Sequence, residues 1–202
     1  MLDTMAAMQE AHNAQVHPDW RVNGYEYYRA IWVECAEMLD HFGWKWWKQQ
    51  SPDLAQVKLE LVDIWHFALS DMLRADTLDA GVAEALAGLS GPEAGDADAF
   101  RLAIEAMAGD ALATRSFTLA PFLAAMETLP MGYDELFELY IGKNVLNGFR
   151  QDHGYKDGSY RKLWQGREDN EHLVEALAAL ECAPQDVPEQ LYAELARRYE
   201  AA

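Results

Sequence analysis

The stretch from Leu54 to Arg74 limits what this chain can fold into more than any other. Leu59, Leu61, Val62, Ile64, Trp65, Phe67, Ala68 and Leu69 cover more than one face of the helix that their spacing predicts, and a helix apolar nearly all round is a buried one. Ser51-Pro52-Asp53 supplies its start, since Asp or Ser can cap and Pro suits the first turn. Yet Glu60 and Asp63 stand inside the apolar run, where a carboxylate is costly unless something compensates it. The chain must wrap this helix in others and provide for its acids.

The rest supplies the wrapping. Apolar residues recur at helical spacing, and β-branched runs with strict alternation are scarce, so the class is all-α, a helical bundle. Further helices are predicted at 2–14, at 25–42 with Gly43 as the stop, at 79–89, 97–109 and 116–128 around a turn at 91–95, at 133–149, and over 171–201. A polar, glycine-containing segment occupies 150–170. A chain of 202 residues has room for one sizeable core, so residues 1–202 read as a single all-α domain, with the Ala-rich region 77–129 as scaffold.

Charge narrows the partners. A net charge of −18 repels polyanions, which argues against a nucleic-acid polymer or an anionic membrane surface. A small anionic substrate remains compatible wherever metal ions or basic clusters reverse the local field. Cys35 and Cys182 form no zinc-type spacing and fit a reduced, cytoplasmic setting. The first residues lack a basic segment backed by an apolar one, and no apolar run reaches membrane-spanning length, so a soluble, unprocessed protein is expected.

Glu34-Cys35-Ala36-Glu37 on the second helix answers Glu60-Leu61-Val62-Asp63 on the third. Positions i and i+3 lie one turn apart on one face, so each pair projects two carboxylates together, and two antiparallel core helices can merge the pairs. Either pair alone also reads as ordinary helix surface. Four crowded carboxylates repel one another, and Arg29, Lys45, Lys48 and Lys58 lie outside both pairs, so divalent cations are the simpler compensation. Hard oxygen donors without thiolate favour Mg²⁺, with Mn²⁺ as a substitute. A di-iron bundle requires Glu-x-x-His on two helices, and only Asp63-x-x-His66 approaches it. His66 reads either as a hydrogen-bonded core histidine or as a contact to substrate one turn past Asp63.

Six of the sixteen Lys and Arg residues fall between 143 and 167. Lys143, Asn147 and Arg150 share a helical face, and beyond them Gly154 and Gly158 let backbone approach a ligand while Tyr155, Lys156, Tyr160 and Lys162 offer donors suited to phosphate. A solvated charged loop is the other reading. Trp44-Lys45-Trp46-Trp47-Lys48 follows the first acidic helix, where an indole can stack on a base or simply pack at the helix end. Gln9 and Asn13, one turn apart, form an amide pair able to read a pyrimidine edge.

Together, Glu34-x-x-Glu37, Glu60-x-x-Asp63 and the segment from Gly142 to Asn170, ending Trp164-Gln165-Gly166-Arg167-Glu168-Asp169-Asn170, resemble the all-α NTP pyrophosphohydrolase superfamily and specifically its dimeric dUTPase branch. The acidic motifs are shared across that superfamily; the later segment is the discriminating one. The resemblance covers about 1–70 and 133–170, and it implies that 77–129 varies.

It implies further that Glu34, Glu37, Glu60 and Asp63 ligate Mg²⁺, that Glu34 or Glu37 is the base, and that Lys143, Asn147, Arg150, Tyr155, Lys156 and Lys162 hold phosphates and sugar. Gln9 and Asn13 would meet uracil, with Trp44, Trp47 or Phe67 stacking on it. The implied reaction is water attack at the α-phosphorus of dUTP, and of dUDP, giving dUMP, in a homodimer. His12 stands where such a protein is expected to carry an apolar residue such as leucine.

Overall fold

The computed structural model describes residues 1–93 and 95–201, and among them the chain forms nine α-helices and one short hairpin, an all-α architecture. It divides into two compact units, Met1–Glu138 and Leu139–Ala202. The first contains α1 (Leu2–Val16), α2 (Tyr27–Phe42), α3 (Leu54–Ala75), α4 (Ala80–Ala87), α5 (Ala97–Thr114), α6 (Leu119–Thr128) and the opening of α7 (Tyr133–Asp152). The second contains the remainder of α7, strands β1 (Leu163–Trp164) and β2 (Arg167–Glu168), α8 (Asp169–Ala179), a 3₁₀ turn at Pro184–Asp186, and α9 (Val187–Glu200). Of the turn expected at 91–95, position 94 lies outside the described residues.

In the first unit α3 is the axis. Asp53 caps it by accepting a hydrogen bond from the Gln56 amide at 3.2 Å, which satisfies one of the donors a helix start leaves open. Val57, Leu59, Leu61, Val62, Ile64, Trp65, Ala68 and Leu69 are all fully buried. Removing a leucine- or isoleucine-sized side chain from water contributes about 1.5–3 kcal/mol, so these residues hold α3 central. Its neighbours are α2, which packs on it most extensively, α1, and α6, whose Phe122 stacks on Trp65 at 5.1 Å between ring centroids.

α2 and α3 run in opposite directions. The Asp53 amide donates to the carbonyl of His41 at 3.0 Å, joining the start of α3 to the end of α2, and seven residues on Glu60 has come level with Glu37 and Glu34. At the far end of α3, buried Asp71 accepts from Ser116 Oγ and from the Phe117 amide, both at 2.8 Å, and pairs with Arg74. One carboxylate thus ties α3 to the chain entering α6.

α5 continues to Thr114, past the stop expected near Gly109. Its buried stripe, Phe100, Ile104, Met107 and Ala111, extends beyond that glycine, and burial outweighs the penalty of about 1 kcal/mol for glycine in a helix. Arg115 in the left-handed conformation (φ 56°) ends the helix instead. The last stretch, expected as helix throughout 171–201, is two helices interrupted before Pro184.

In the second unit the segment 150–170 contains a hairpin that apolar periodicity does not announce, because each strand is two residues long. Its loop is Gln165-Gly166, both at positive φ (52° and 80°), the backbone that tight two-residue hairpins require. Trp164 is its anchor: the ring is fully buried, its Nε1 donates to the Arg161 carbonyl at 2.7 Å, and its own carbonyl lies 3.0 Å from His172 Nε2.

Candidate active site

On α2 the residues Ile31, Cys35, Met38 and Phe42 turn into the core. Glu34 and Glu37 flank that stripe, one half-buried and the other exposed, and Glu60 is buried on α3. One oxygen from each of these three glutamates lies within 4.8 Å of the others. Asp63 is half-buried one turn further along α3.

Like charges gathered this closely raise the free energy of the ionised state, and the burial of Glu60 adds a desolvation cost. Divalent cations are the ligands such a donor set suits, because all three donors are hard oxygens. Cys35 lies between the two α2 glutamates in sequence, yet its side chain enters the core, and burial first, then the charge of Glu34, push its thiol up to about 12. It is held as a thiol, so the cluster is one of carboxylates.

His41 is a member of this neighbourhood that the sequence reading missed. Its Nε2 stands 3.4 Å from Glu60 Oε1. The available signal was its spacing, four residues after Glu37 and so on the same helical face.

Gln9, Asn13 and His66 come together, and Ser70 joins them unanticipated. Ser70 Oγ accepts from Gln9 Nε2 at 3.0 Å and Asn13 Nδ2 at 2.9 Å and donates to the His66 carbonyl at 3.0 Å. Gln9 Nε2 also donates to Asn13 Oδ1 at 3.0 Å. With its nitrogen so committed, Gln9 presents its oxygen to His66 Nδ1 at 2.7 Å, so His66 carries its proton there. Ser70 falls one turn after His66, a spacing visible in the sequence but lost among the apolar residues of α3. Phe67 is half-buried beside them on α3.

The indoles form a third group. Trp44 and Trp47 meet edge to face at 5.3 Å, Trp44 Nε1 donates to Asp40 at 3.2 Å, and the Lys45 ammonium lies 5.5 Å above the Trp44 ring. Both rings are more than half or nearly half exposed, and Trp46 is 91% exposed.

In the second unit the expected phosphate contacts fall into two classes. Tyr155, Lys156 and Lys162 are exposed, and Lys162 pairs with Glu168 at 3.1 Å. Lys143 is fully buried and donates to Asn170 Oδ1 at 3.1 Å, while Asn147 accepts from Arg150 Nη1 at 3.1 Å. Arg150 forms a two-pronged pair with Asp169, both bonds 2.8 Å, and Tyr160 donates to the same carboxylate at 2.8 Å. Asp169 was not among the expected site residues. Asp169 stands within Arg167-Glu168-Asp169-Asn170-Glu171, a charged run that reads as surface.

No described helix is long and apolar enough to cross a membrane. No curated protein matches the chain. A family model described as dUTPase matches residues 1–155, which takes in all three glutamates of the cluster, the Gln9/Asn13 pair and Arg150. A match over more than half of the chain, on an all-α fold whose two central helices bring carboxylates together, assigns it to the all-α, divalent-metal-dependent dUTPase family: it is a hydrolase, a dUTP diphosphatase.

Proposed function

We propose that the chain converts dUTP, and dUDP as well, to dUMP with Mg²⁺ held by Glu34, Glu37, Glu60 and Asp63, and that Mn²⁺ can substitute. The observation that carries this reading is the convergence of Glu34, Glu37 and Glu60 to within 4.8 Å. When bound, Mg²⁺ supplies a water of lowered pKa and neutralises charge on the phosphates. The chain's own contribution to the attack at the α-phosphorus is a proton acceptor on α2, Glu34 or Glu37. Glu34 is half-buried and Glu37 exposed, which makes Glu37 the more accessible of the two to an incoming water. Cleavage beyond the α-phosphate does not require a γ-phosphate, which is why dUDP belongs with dUTP.

The amide group supports a uracil subsite. Uracil offers an acceptor, a donor and another acceptor along one edge, and the Asn13 carboxamide, which gives one hydrogen to Ser70 and takes one from Gln9, can present both complementary roles. His66 fixes the Gln9 orientation through its 2.7 Å contact. Trp44, Trp47 and Phe67 are the stacking candidates. Lys143, Asn147, Arg150, Tyr155, Lys156 and Lys162 are assigned to phosphates and sugar by their donor chemistry. We further propose a cytoplasmic homodimer, a setting in which Cys35 and Cys182 stay as the free thiols they are here.

The test is product analysis with dUTP, dUDP, dCTP and dTTP in Mg²⁺, in Mn²⁺ and after chelation. Release of pyrophosphate from dUTP and of phosphate from dUDP, lost on chelation, is the expected pattern. Equal turnover of dCTP would remove the uracil subsite from the reading.

A further inference from the structure

We propose that Asp169 is a positioning residue for nucleotide binding, one that fixes the guanidinium of Arg150. The proposal rests on the phosphate role given above to Arg150.

Asp169 has no exposed surface. It opens α8, where the helix dipole favours a negative charge. Its two oxygens receive Arg150 Nε and Nη2 at 2.8 Å each, and Oδ2 receives the Tyr160 hydroxyl at 2.8 Å. Asn147 takes Arg150 Nη1 at 3.1 Å, and Asn170 Oδ1 lies 3.1 Å from Lys143 Nζ and 3.4 Å from Arg150 Nη2. The carboxylate is itself located by the hairpin, since the Asp169 amide donates to the Lys162 carbonyl at 3.0 Å.

A buried ion pair adds little net stability over apolar packing. What it does supply is orientation, because an arginine held at three of its nitrogens before a ligand arrives has less rotamer freedom to lose on binding. Asp169, Asn170 and Tyr160 all lie beyond residue 155, where the family match ends. Arg150 is thus held by Asn147 within that match and by Asp169 beyond it.

Steady-state kinetics on the full chain with dUTP and Mg²⁺ test this, comparing Asp169→Asn, Tyr160→Phe, Arg150→Gln and the Arg150→Gln/Asp169→Asn double variant. Asp169→Asn is expected to raise KM about tenfold, the scale of one lost charged hydrogen bond, with a smaller change in kcat. Tyr160→Phe is expected to raise KM a few-fold, its ring keeping the stack on Tyr199 at 5.5 Å. The double variant should match Arg150→Gln alone, because Asp169 acts through Arg150. A wild-type KM in Asp169→Asn beside a raised one in Arg150→Gln overturns the proposal, as do effects that multiply in the double variant. A wild-type KM in Arg150→Gln instead removes the phosphate role, and the proposal with it. If Asp169→Asn does not fold, Tyr160→Phe decides: an unchanged KM there overturns the assignment.

Discussion

In the first unit three glutamates from α2 and α3 bring oxygens of one sign within 4.8 Å of each other. In the second, the buried carboxylate of Asp169 faces an arginine fork and a tyrosine hydroxyl. The first arrangement gathers like charge, the condition under which a cation is bound; the second pairs opposite charge, the condition under which a side chain is held still. Neutralising one carboxylate should therefore have opposite consequences in the two places. Activity should suffer most in the first unit and stability most in the second.

The largest effect is expected from Glu60→Gln or Glu37→Gln. Either removes a proposed metal donor, and kcat/KM for Mg²⁺-dependent pyrophosphate release should fall on the order of a thousandfold, while far-UV circular dichroism stays that of the wild type. Asp63→Asn should behave alike. Wild-type turnover in these variants would break the comparison at its first term, because the cluster would then hold no metal that the reaction needs.

Next is Asp169→Ala. Deleting the acid leaves the Arg150 guanidinium, 12% exposed, without its buried counter-ion, a change that costs roughly 3–5 kcal/mol in comparable buried pairs. Urea titration reads it directly. A loss under 1 kcal/mol would show that Arg150 finds water or another partner at little expense, and the contrast between the units would shrink to one of activity alone.

The unequal legibility of the two units follows from the same physics. α3 could be placed from its sequence because burial on every side leaves a continuous apolar run, and Glu34, Glu37, Glu60 and Asp63 stood out because acids inside apolar helices are costly. The convergence of the three glutamates then needed only the antiparallel packing of neighbouring helices. The Ser70 hydroxyl and His41 escaped because each is a single polar residue whose role depends on what a different helix brings opposite. The hairpin escaped because two-residue strands have no period to detect, and its turn uses Gln165 at positive φ where asparagine or glycine is the usual sign. Asp169 escaped with it, since its burial is created by that hairpin and by α8.

A smaller effect is expected from acid. Burial works against the charge of Asp169, but the Arg150 fork and then the Tyr160 hydroxyl outweigh it, so the carboxyl titrates below its ordinary value of 3.8. A depressed folded-state pKa means that the folded form binds the proton less readily than the unfolded chain. Its contribution to stability is therefore fully present above about pH 4 and is lost as the pH falls below 3.8 toward the folded value. Asp169→Asn should flatten that part of the acid-unfolding curve, measured by tyrosine and tryptophan fluorescence between pH 5 and pH 2. Identical curves for wild type and variant would assign the acid sensitivity to other carboxylates.

The smallest effect separates the units most sharply, because its sign depends on the ligand. Without divalent cation, Glu37→Gln removes one of three mutually repelling charges, and because Glu37 is exposed the relief is screened by solvent. The melting temperature should rise by about 1–3 °C. With saturating Mg²⁺ the order should invert, since an ion that binds only the folded state stabilises it in proportion to RT ln(1 + [L]/Kd), and the wild type binds more tightly. Differential scanning calorimetry in chelator and again in Mg²⁺ reads both signs in one protein preparation. A variant less stable than wild type under both conditions would mean that Glu37 is held by protein donors as Asp169 is, and the cluster on α2 and α3 would then be a structural network of the second unit's kind.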